Sequence, residues 1–583
     1  PAASPASPPR SGRFASGRRF LLRKEGPYLT HLRPLLTVPP ELQIGISTER
    51  ASFRLARLRP KLVKSFTISP FSRESLPPAI VPIQLMPLRR LLTLACLLIF
   101  PLETSQAAPP NIILFVTDDQ SPVAGCYGNT VIKTPNLDAL AAQGVRFTEA
   151  FATTASCSAS RSVILSGIHN HHNGQYGHTH AFHKFESFKS VAALSLPNQM
   201  AQAGYRTASI GKYHVAPEAV FHFDQYLPGP GGNPVAMADN CKALFADPSD
   251  KPFFLYFCTN NPHRGGGQDK TFPGKHKPDL FGNLPDKGHH KGVQDVFYDP
   301  AEVIVPAFLP DTPESRAELA QYYQSCSRVD QGLGRLIALL KETNQWANTV
   351  LIFTADHGMA FPGAKTTVYE SGLRVPFIVR DPRQEKHGLT NNAMISHVDI
   401  TPSILDLAGA YDPAKHGPKA LLPVPKPAHG ENNGPKMTRY HGRSWVPILN
   451  ETNPAGWDSI DASHTFHEIQ MYYPMRVVHD RKYKLIWNVA YHQPYPFASD
   501  LWAAATWQAQ FEKGPQAPYG ARTVDSYIHR PQFELFDISS DPDETRNLAD
   551  DPKFAAILEE YKGKLKEMQK RTNDPWIMKW RYE

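Results

Sequence analysis

Four short apolar runs along the chain end in polar chemistry. NIILFVTDD (111–119) closes on two aspartates and YRTASIGKYH (205–214) on Lys212 and His214. KPFFLYFCTNNPHR (251–264) closes near His263, and NTVLIFTADHG (348–358) on Asp356 and His357. Unbroken Val, Ile, Leu and Phe over such lengths predicts strands covered on both faces, as in a parallel sheet. Helical patterns lie between them. TPNLDALAAQGVRF predicts a helix with Thr134 at its N-cap, Pro135 in its first turn and Gly144 as terminator. SRAELAQYYQSCSRVDQGLGRLIALLKET keeps the helical period just before the Asp356 run. Strands alternating with helices predict a doubly wound α/β domain, whose ligands bind beyond the carboxyl ends of the strands. All four polar clusters fall at that edge.

The pattern changes after about residue 440. SHTFHEIQMYYPMRVVHDRKYKLIWNV holds two strand-like runs split by the polar turn HDRKY, as in an antiparallel hairpin. FELFDISSDPDETRNLADDP then leads to a helical pattern near 553–570. This predicts a catalytic domain over 108–440 and a smaller C-terminal α+β subdomain over 441–583, closing one side of the pocket.

Charge removes one class of function. The chain carries a net +8, but residues 1–85 hold 14 Lys and Arg against 4 Asp and Glu, leaving 48 against 50 in the rest. A near-neutral remainder gives no support to nucleic-acid binding. The basic, Pro/Ser/Arg-rich segment 1–85 contains no methionine and is expected to lie outside the mature protein. From Met86, MPLRRLLTLACLLIFPLETSQAAPP has the layout of a secretory leader: Arg89 and Arg90, an apolar core from Leu91 to Leu102, then small residues. We read 86–107 as a signal peptide and the protein as exported, to a periplasmic, secreted or lysosome-like compartment. Five cysteines then remain, too few and too odd in number for a disulfide framework.

An aspartate after a strand is ordinarily the N-cap of the next helix. An Asp-Asp pair repels itself, however, and calls for a cation or hydrogen-bond donors. A second strand ending in Asp356-His357 favours a shared metal site. The six histidines of GIHNHHNGQYGHTHAFH (167–183) match no standard zinc spacing and read as a polar pocket wall. Cys157, in TTASCSASRSVILSG (153–167), sits among serines able to cap a helix, with Arg161 one turn on. A helix N-terminus favours negative charge there, so a low-pKa thiolate is one reading.

The residues support another. CSASR followed by SVILSG resembles the signature of the sulfatase family, Cys-x-Pro/Ala-x-Arg, in which the cysteine is oxidised to formylglycine. The resemblance runs from about Asn111 to Trp576 and takes in Asp118-Asp119, TPNLDALAAQGVRF, GKYH (211–214), PHR (262–264) and DHG (356–358). NHHNGQYGH, GKYHVAPEAVFHFD, HEIQMYYPMRVV and NDPW (573–576) resemble the sulfamidase branch, which cleaves the N-sulfate of glucosamine in heparan sulfate. The resemblance implies an alkaline-phosphatase-like fold: a large, mixed, mostly parallel sheet flanked by helices, plus the C-terminal antiparallel sheet.

It also implies one Ca²⁺, held by Asp118, Asp119, Asp356, His357 and an oxygen of modified Cys157. The aldehyde would hydrate to a geminal diol. One hydroxyl would attack sulfur to give a covalent sulfate ester, and the other would expel sulfate by elimination. By the same transfer Arg161 would hold the diol and neutralise carboxylates, and Lys212 and Lys365 would clamp sulfate oxygens. His214 would take the elimination proton, and His263 would protonate the leaving group. His178, Arg264, His467 and Glu468 are expected to face substrate. Ala159 replaces the usual proline, His357 the common asparagine, and Lys365 an arginine of the sulfamidases. The partners implied are a sulfated saccharide and a formylglycine-generating or anaerobic sulfatase-maturating enzyme, with a homodimer as the assembly considered. An O-sulfatase for other glycans or aryl sulfates, a phosphate or phosphonate ester hydrolase, and a silent glycan binder stay open as alternatives.

Overall fold

The computed structural model describes residues 109–180, 182–265, 280–283, 289–418 and 434–582. The basic segment 1–85 and the leader 86–107 lie outside these residues. Among the described residues no helix is long and apolar enough to cross a membrane.

The apolar runs form one eight-stranded sheet. Its strands are β1 (Asn111–Thr117), β2 (Val145–Phe151), β3 (Arg206–Gly211), β4 (Gln225–Leu227), β5 (Phe253–Cys258), β6 (Thr349–Ala355), β7 (Phe377–Arg380) and β8 (Leu389–Ser396), in the order β4-β3-β5-β1-β6-β7-β2-β8. Every neighbouring pair is parallel except those of β7, which runs against both β6 and β2. β1 is buried along its whole length because both its faces are covered. Ile112, Leu114 and Val116 enter one core, and Ile113 and Phe115 enter the other. The long helical pattern forms a helix from Pro313 to Glu342, whose second half lays Val329, Leu333, Leu336 and Leu340 on the Ile113 side.

Register decides what meets at the edge. Thr117 pairs with Ala355, so Asp118 comes level with Asp356. Val116 and Gly211 both pair with Cys258, which brings Lys212 to the same level. Gly211 is at φ 83° and an added Cβ would lie 2.0 Å from the carbonyl oxygen of Cys258, so this strand end tolerates no side chain. Thr134 does take the N-cap of the helix Pro135–Gln143, but its hydroxyl accepts from the Gly125 amide instead of capping its own helix.

The later runs form a four-stranded antiparallel sheet of β9 (Ser459–His464), β10 (Met475–Asp480), β11 (Tyr483–Asn488) and β12 (Phe533–Asp537), in the order β12-β11-β10-β9. The expected hairpin is the β10–β11 pair, turned at Arg481-Lys482 with Asp480 accepting from the Lys482 and Tyr483 amides. One face packs Val478, Leu485 and Trp487 on Tyr561, Leu565 and Met568 of the helix Ala555–Arg571. The other packs Met475, Val477 and Ile486 into a core shared with Tyr322 and Phe361.

Candidate active site

Strand ends, one helix start and one loop build the site. Asp118 and Asp119 leave β1, Lys212 and His214 leave β3, His263 follows β5, and Asp356 and His357 leave β6. The Asp356 amide donates to the Thr117 carbonyl and the Asp119 amide to Asp356 Oδ1, at 3.0 and 2.9 Å. Cys157 opens the helix Cys157–Ile164, every residue of which is buried. Lys365 arrives on the loop after β6. Asp119, His214 and Thr366 all hold positive φ, at 63°, 51° and 67°. Such backbone strain persists only where its surroundings impose it.

Four carboxylates and three cations interlock. Arg161 donates through Nε to Asp356 Oδ2 at 3.1 Å, while its Nη2 lies 3.2 Å from Asp118 Oδ1. Lys212 Nζ reaches Asp118 Oδ2 at 2.5 Å. Lys365 Nζ lies 2.9 Å from Asp119 Oδ2, 2.8 Å from Asp500 Oδ2 and 3.1 Å from His263 Nε2. Burial opposes charge on both lysines, but Asp118 for Lys212, and Asp119 with Asp500 for Lys365, outweigh it and raise both. Burial likewise raises Asp118, yet Lys212, His263 and Arg161 together hold it well below the ordinary carboxylate range. For Asp356 burial prevails over Arg161 and pushes the carboxyl up to about 6.

Cys157 faces this cluster. Its Sγ lies 3.3 Å from His357 Nε2 and 3.7 Å from Asp119 Oδ1. Ligand atoms of Asp119, Cys157, Asp356 and His357 all fall within 4.8 Å of one another. The thiolate reading fails here. Burial raises the thiol well above its ordinary value, and the pull of Lys212 and Lys365 does not reverse it. The serine flanking Cys157 on its N-terminal side is not a side-chain cap either, since Ser156 Oγ pairs with His467 Nδ1 at 3.0 Å. His467 Nε2 meets His178 Nε2 at 2.9 Å, and His178 Nδ1 lies 3.5 Å from Ser158 Oγ. Two imidazoles thus brace both neighbours of Cys157.

His214 adjoins this group through His180, its Nε2 being 2.7 Å from His180 Nδ1. Burial, with Lys212 and Arg161 nearby, depresses His214 well below its ordinary value, which favours the neutral imidazole. His263 is lowered to about 4 by burial and by Lys365. Glu468 is half-buried and accepts from Ser499 Oγ at 3.2 Å.

Arg264 does not face a substrate. Its side chain is 1 % exposed, forks onto both oxygens of Glu318 at 2.8 and 2.9 Å, and lies against the rings of Phe281 and Phe361. Adjacent residues of a turn point in different directions, so proximity to His263 in the sequence misplaced it. Arg264→Leu is expected to destabilise the fold by about 3–5 kcal/mol, because it leaves Glu318 buried without its cation. Denaturant unfolding measures this, and KM of the enzyme that remains folded should be unchanged.

Asp500 carries no signal in the sequence, and His180 none beyond its place in the histidine run. Asp500 opens the short helix Ser499–Trp502 and looks like any first-turn aspartate, yet it holds Lys365. His180 belongs to the histidine run, which here divides in two. His169, His171 and His172 stack near His441, while His178, His180 and His183 gather by His214.

Comparison with known proteins agrees with this arrangement. A family model described as Sulfatase matches residues 110–410. The chain is 36 % identical over 496 residues to human N-sulphoglucosamine sulphohydrolase, covering 83 % of this chain and 94 % of the human one. It is 29 % identical over 468 residues to an ulvan-active sulfatase of Formosa agariphila, covering 79 % and 80 % of the two chains. A solved protein in complex with its substrate D-glucosamine-2-N,6-O-disulfate superposes with a TM-score of 0.53 at 21 % identity, covering 80 % of this chain and 99 % of the other, which establishes the shared fold.

Proposed function

This chain belongs to the sulfatase family, and from that premise we propose that it removes the N-sulfate of a glucosamine residue. The observation that carries the substrate is the 36 % identity, which spans 94 % of human N-sulphoglucosamine sulphohydrolase and so includes the C-terminal sheet as well as the nucleophile region.

The donor set fits a hard divalent cation. Asp118, Asp119 and Asp356 are fully buried; ligand atoms of Asp119 and Asp356 gather with those of Cys157 and His357, Asp118 meets Asp119 beside His263, and carboxylate oxygens suit Ca²⁺. His357 would add a fourth ligand. Its Nδ1 lies 3.0 Å from the Gly358 carbonyl, which leaves Nε2 directed at Asp119 and Cys157. Formylglycine at position 157 supplies, once hydrated, an oxygen nucleophile that a protonated thiol cannot. Cys157 is 1 % exposed, so an enzyme that oxidises it must reach the segment before the fold closes. That agrees with a maturation enzyme acting during export, with Met86 opening the leader.

The chain's own residues divide the remaining work. Arg161 fixes Asp118 and Asp356 and offsets their charge. Lys212, paired with Asp118, and Lys365, paired with Asp119 and Asp500, are the cations we assign to sulfate oxygens as charge develops on them. Neutral His214 accepts a proton from the nucleophile. His263, in contact with Lys365, is the ring we assign to the leaving nitrogen.

A sulfamate nitrogen protonated before the S–N bond breaks carries a positive charge and then leaves as a neutral amine, whereas an ester oxygen is too weakly basic to be charged in that way. Asp500 is therefore telling. Its carboxyl is held below the ordinary range, since Lys365 and His263 outweigh burial, and it stays anionic beside the leaving-group acid. An anion there favours a nitrogen leaving group. Sulfate release from N-sulfoglucosamine, from 6-O-sulfated glucosamine and from an aryl sulfate tests the assignment. The N-sulfate is expected to give by far the highest kcat/KM, and preference for either O-sulfate overturns the reading.

A further inference from the structure

Beside the carboxylate cluster lies a second group of donors with different chemistry. The rings of His178, His180 and His214 form a nearly equilateral triangle, with centroids 4.7, 4.9 and 5.0 Å apart. One ring nitrogen from each lies within 4.8 Å of the other two. Among the described residues no carboxylate hydrogen-bonds to any of the three. His180 Nδ1 and His214 Nε2 approach to 2.7 Å, while Nδ1 of His214 is buried without a hydrogen-bond partner. His467 stands behind, its ring 3.9 Å from that of His178. The sequence concealed this group because His214 comes from the end of β3, outside the histidine run.

We propose that His178, His180 and His214 form a second metal site, built of nitrogen donors alone, that takes Zn²⁺ and holds the enzyme inactive while occupied. Zinc bonds imidazole nitrogen at about 2.0–2.1 Å, and tetrahedral placement sets such nitrogens roughly 3.4 Å apart. Opening the His180–His214 contact from 2.7 Å by about 0.7 Å meets that spacing. Metal ligation requires neutral imidazole, and burial depresses all three rings below their ordinary value. His180 is exposed and provides the entry path. The two sites sort cations by donor: hard oxygen for Ca²⁺, borderline nitrogen for Zn²⁺. A zinc ion on His214 Nε2 withdraws that nitrogen from proton transfer. The inhibitory effect rests on the role proposed for His214 above; the binding does not.

The test is calorimetric titration of Zn²⁺ into the full, Ca²⁺-saturated protein, followed by activity on N-sulfoglucosamine at the same zinc concentrations. One equivalent of zinc is expected to bind and abolish turnover, and a nitrogen-donor chelator that spares Ca²⁺ should restore it. His180→Ala should weaken zinc binding at least about tenfold, the scale of one lost ligand, and His180→Asp should recover part of it. Circular dichroism checks that both variants keep the fold. Wild-type protein that binds no zinc beside saturating Ca²⁺, or a His180→Ala variant that binds it as tightly, overturns the site. Zinc bound as expected by a protein that releases no sulfate from N-sulfoglucosamine leaves the site standing and refutes the substrate instead.

Discussion

Replacing Lys365 with alanine is expected to lower kcat/KM on the sulfated sugar by about 100- to 1,000-fold, the scale of losing one preorganised charged donor. The same change should cost about 3–5 kcal/mol of stability, because it breaks a buried ion pair. Lys365 is 1 % exposed and stands between Asp119 and Asp500, so its loss leaves two buried carboxylates facing each other. Lys365→Arg keeps the charge and should retain most of both quantities, with the planar fork changing the geometry. Steady-state kinetics and urea unfolding separate the two effects. An alanine variant with wild-type kcat/KM would remove Lys365 from the sulfate clamp.

Asp500→Asn should act more selectively. The amide keeps the shape but loses the charge, and a hydrogen bond to a charged group is worth about 1.5–3 kcal/mol. Turnover of N-sulfoglucosamine is therefore expected to fall about 10- to 100-fold, with the rate on an O-sulfated glucosamine changed far less, because an ester oxygen does not carry the positive charge of a protonated sulfamate nitrogen. Measuring kcat on both substrates reads this directly. An equal loss on both would reduce Asp500 to a support for Lys365.

Much of the fold was legible because its central strands are covered on both faces. β1, β5 and β6 are unbroken apolar runs, they are neighbours in the sheet, and the polar residues at their ends meet. The antiparallel β7 was not legible: four residues are too few to carry a period. The carboxylates, Cys157, Arg161 and Lys212 were legible because each follows a strand or opens a helix whose direction is fixed. Asp500 and the bond of His467 to Ser156 depend on where the chain returns more than a hundred residues later, and the contact of His178 with Ser158 on an irregular turn in between; no local pattern encodes either. Arg264 failed for the opposite reason, since nearness in sequence to His263 says nothing of the direction in which its side chain leaves the turn.

The account rests most heavily on position 157. Burial raises the Cys157 thiol well above its ordinary value against a cluster of carboxylates, so an unmodified cysteine there is a poor nucleophile. The decisive measurement is the mass of the tryptic peptide spanning Cys157, from protein purified from its native host. The account predicts the mass of formylglycine at that position, with Ala159 accepted in the motif. An unmodified thiol at full occupancy in protein that still releases sulfate would contradict it.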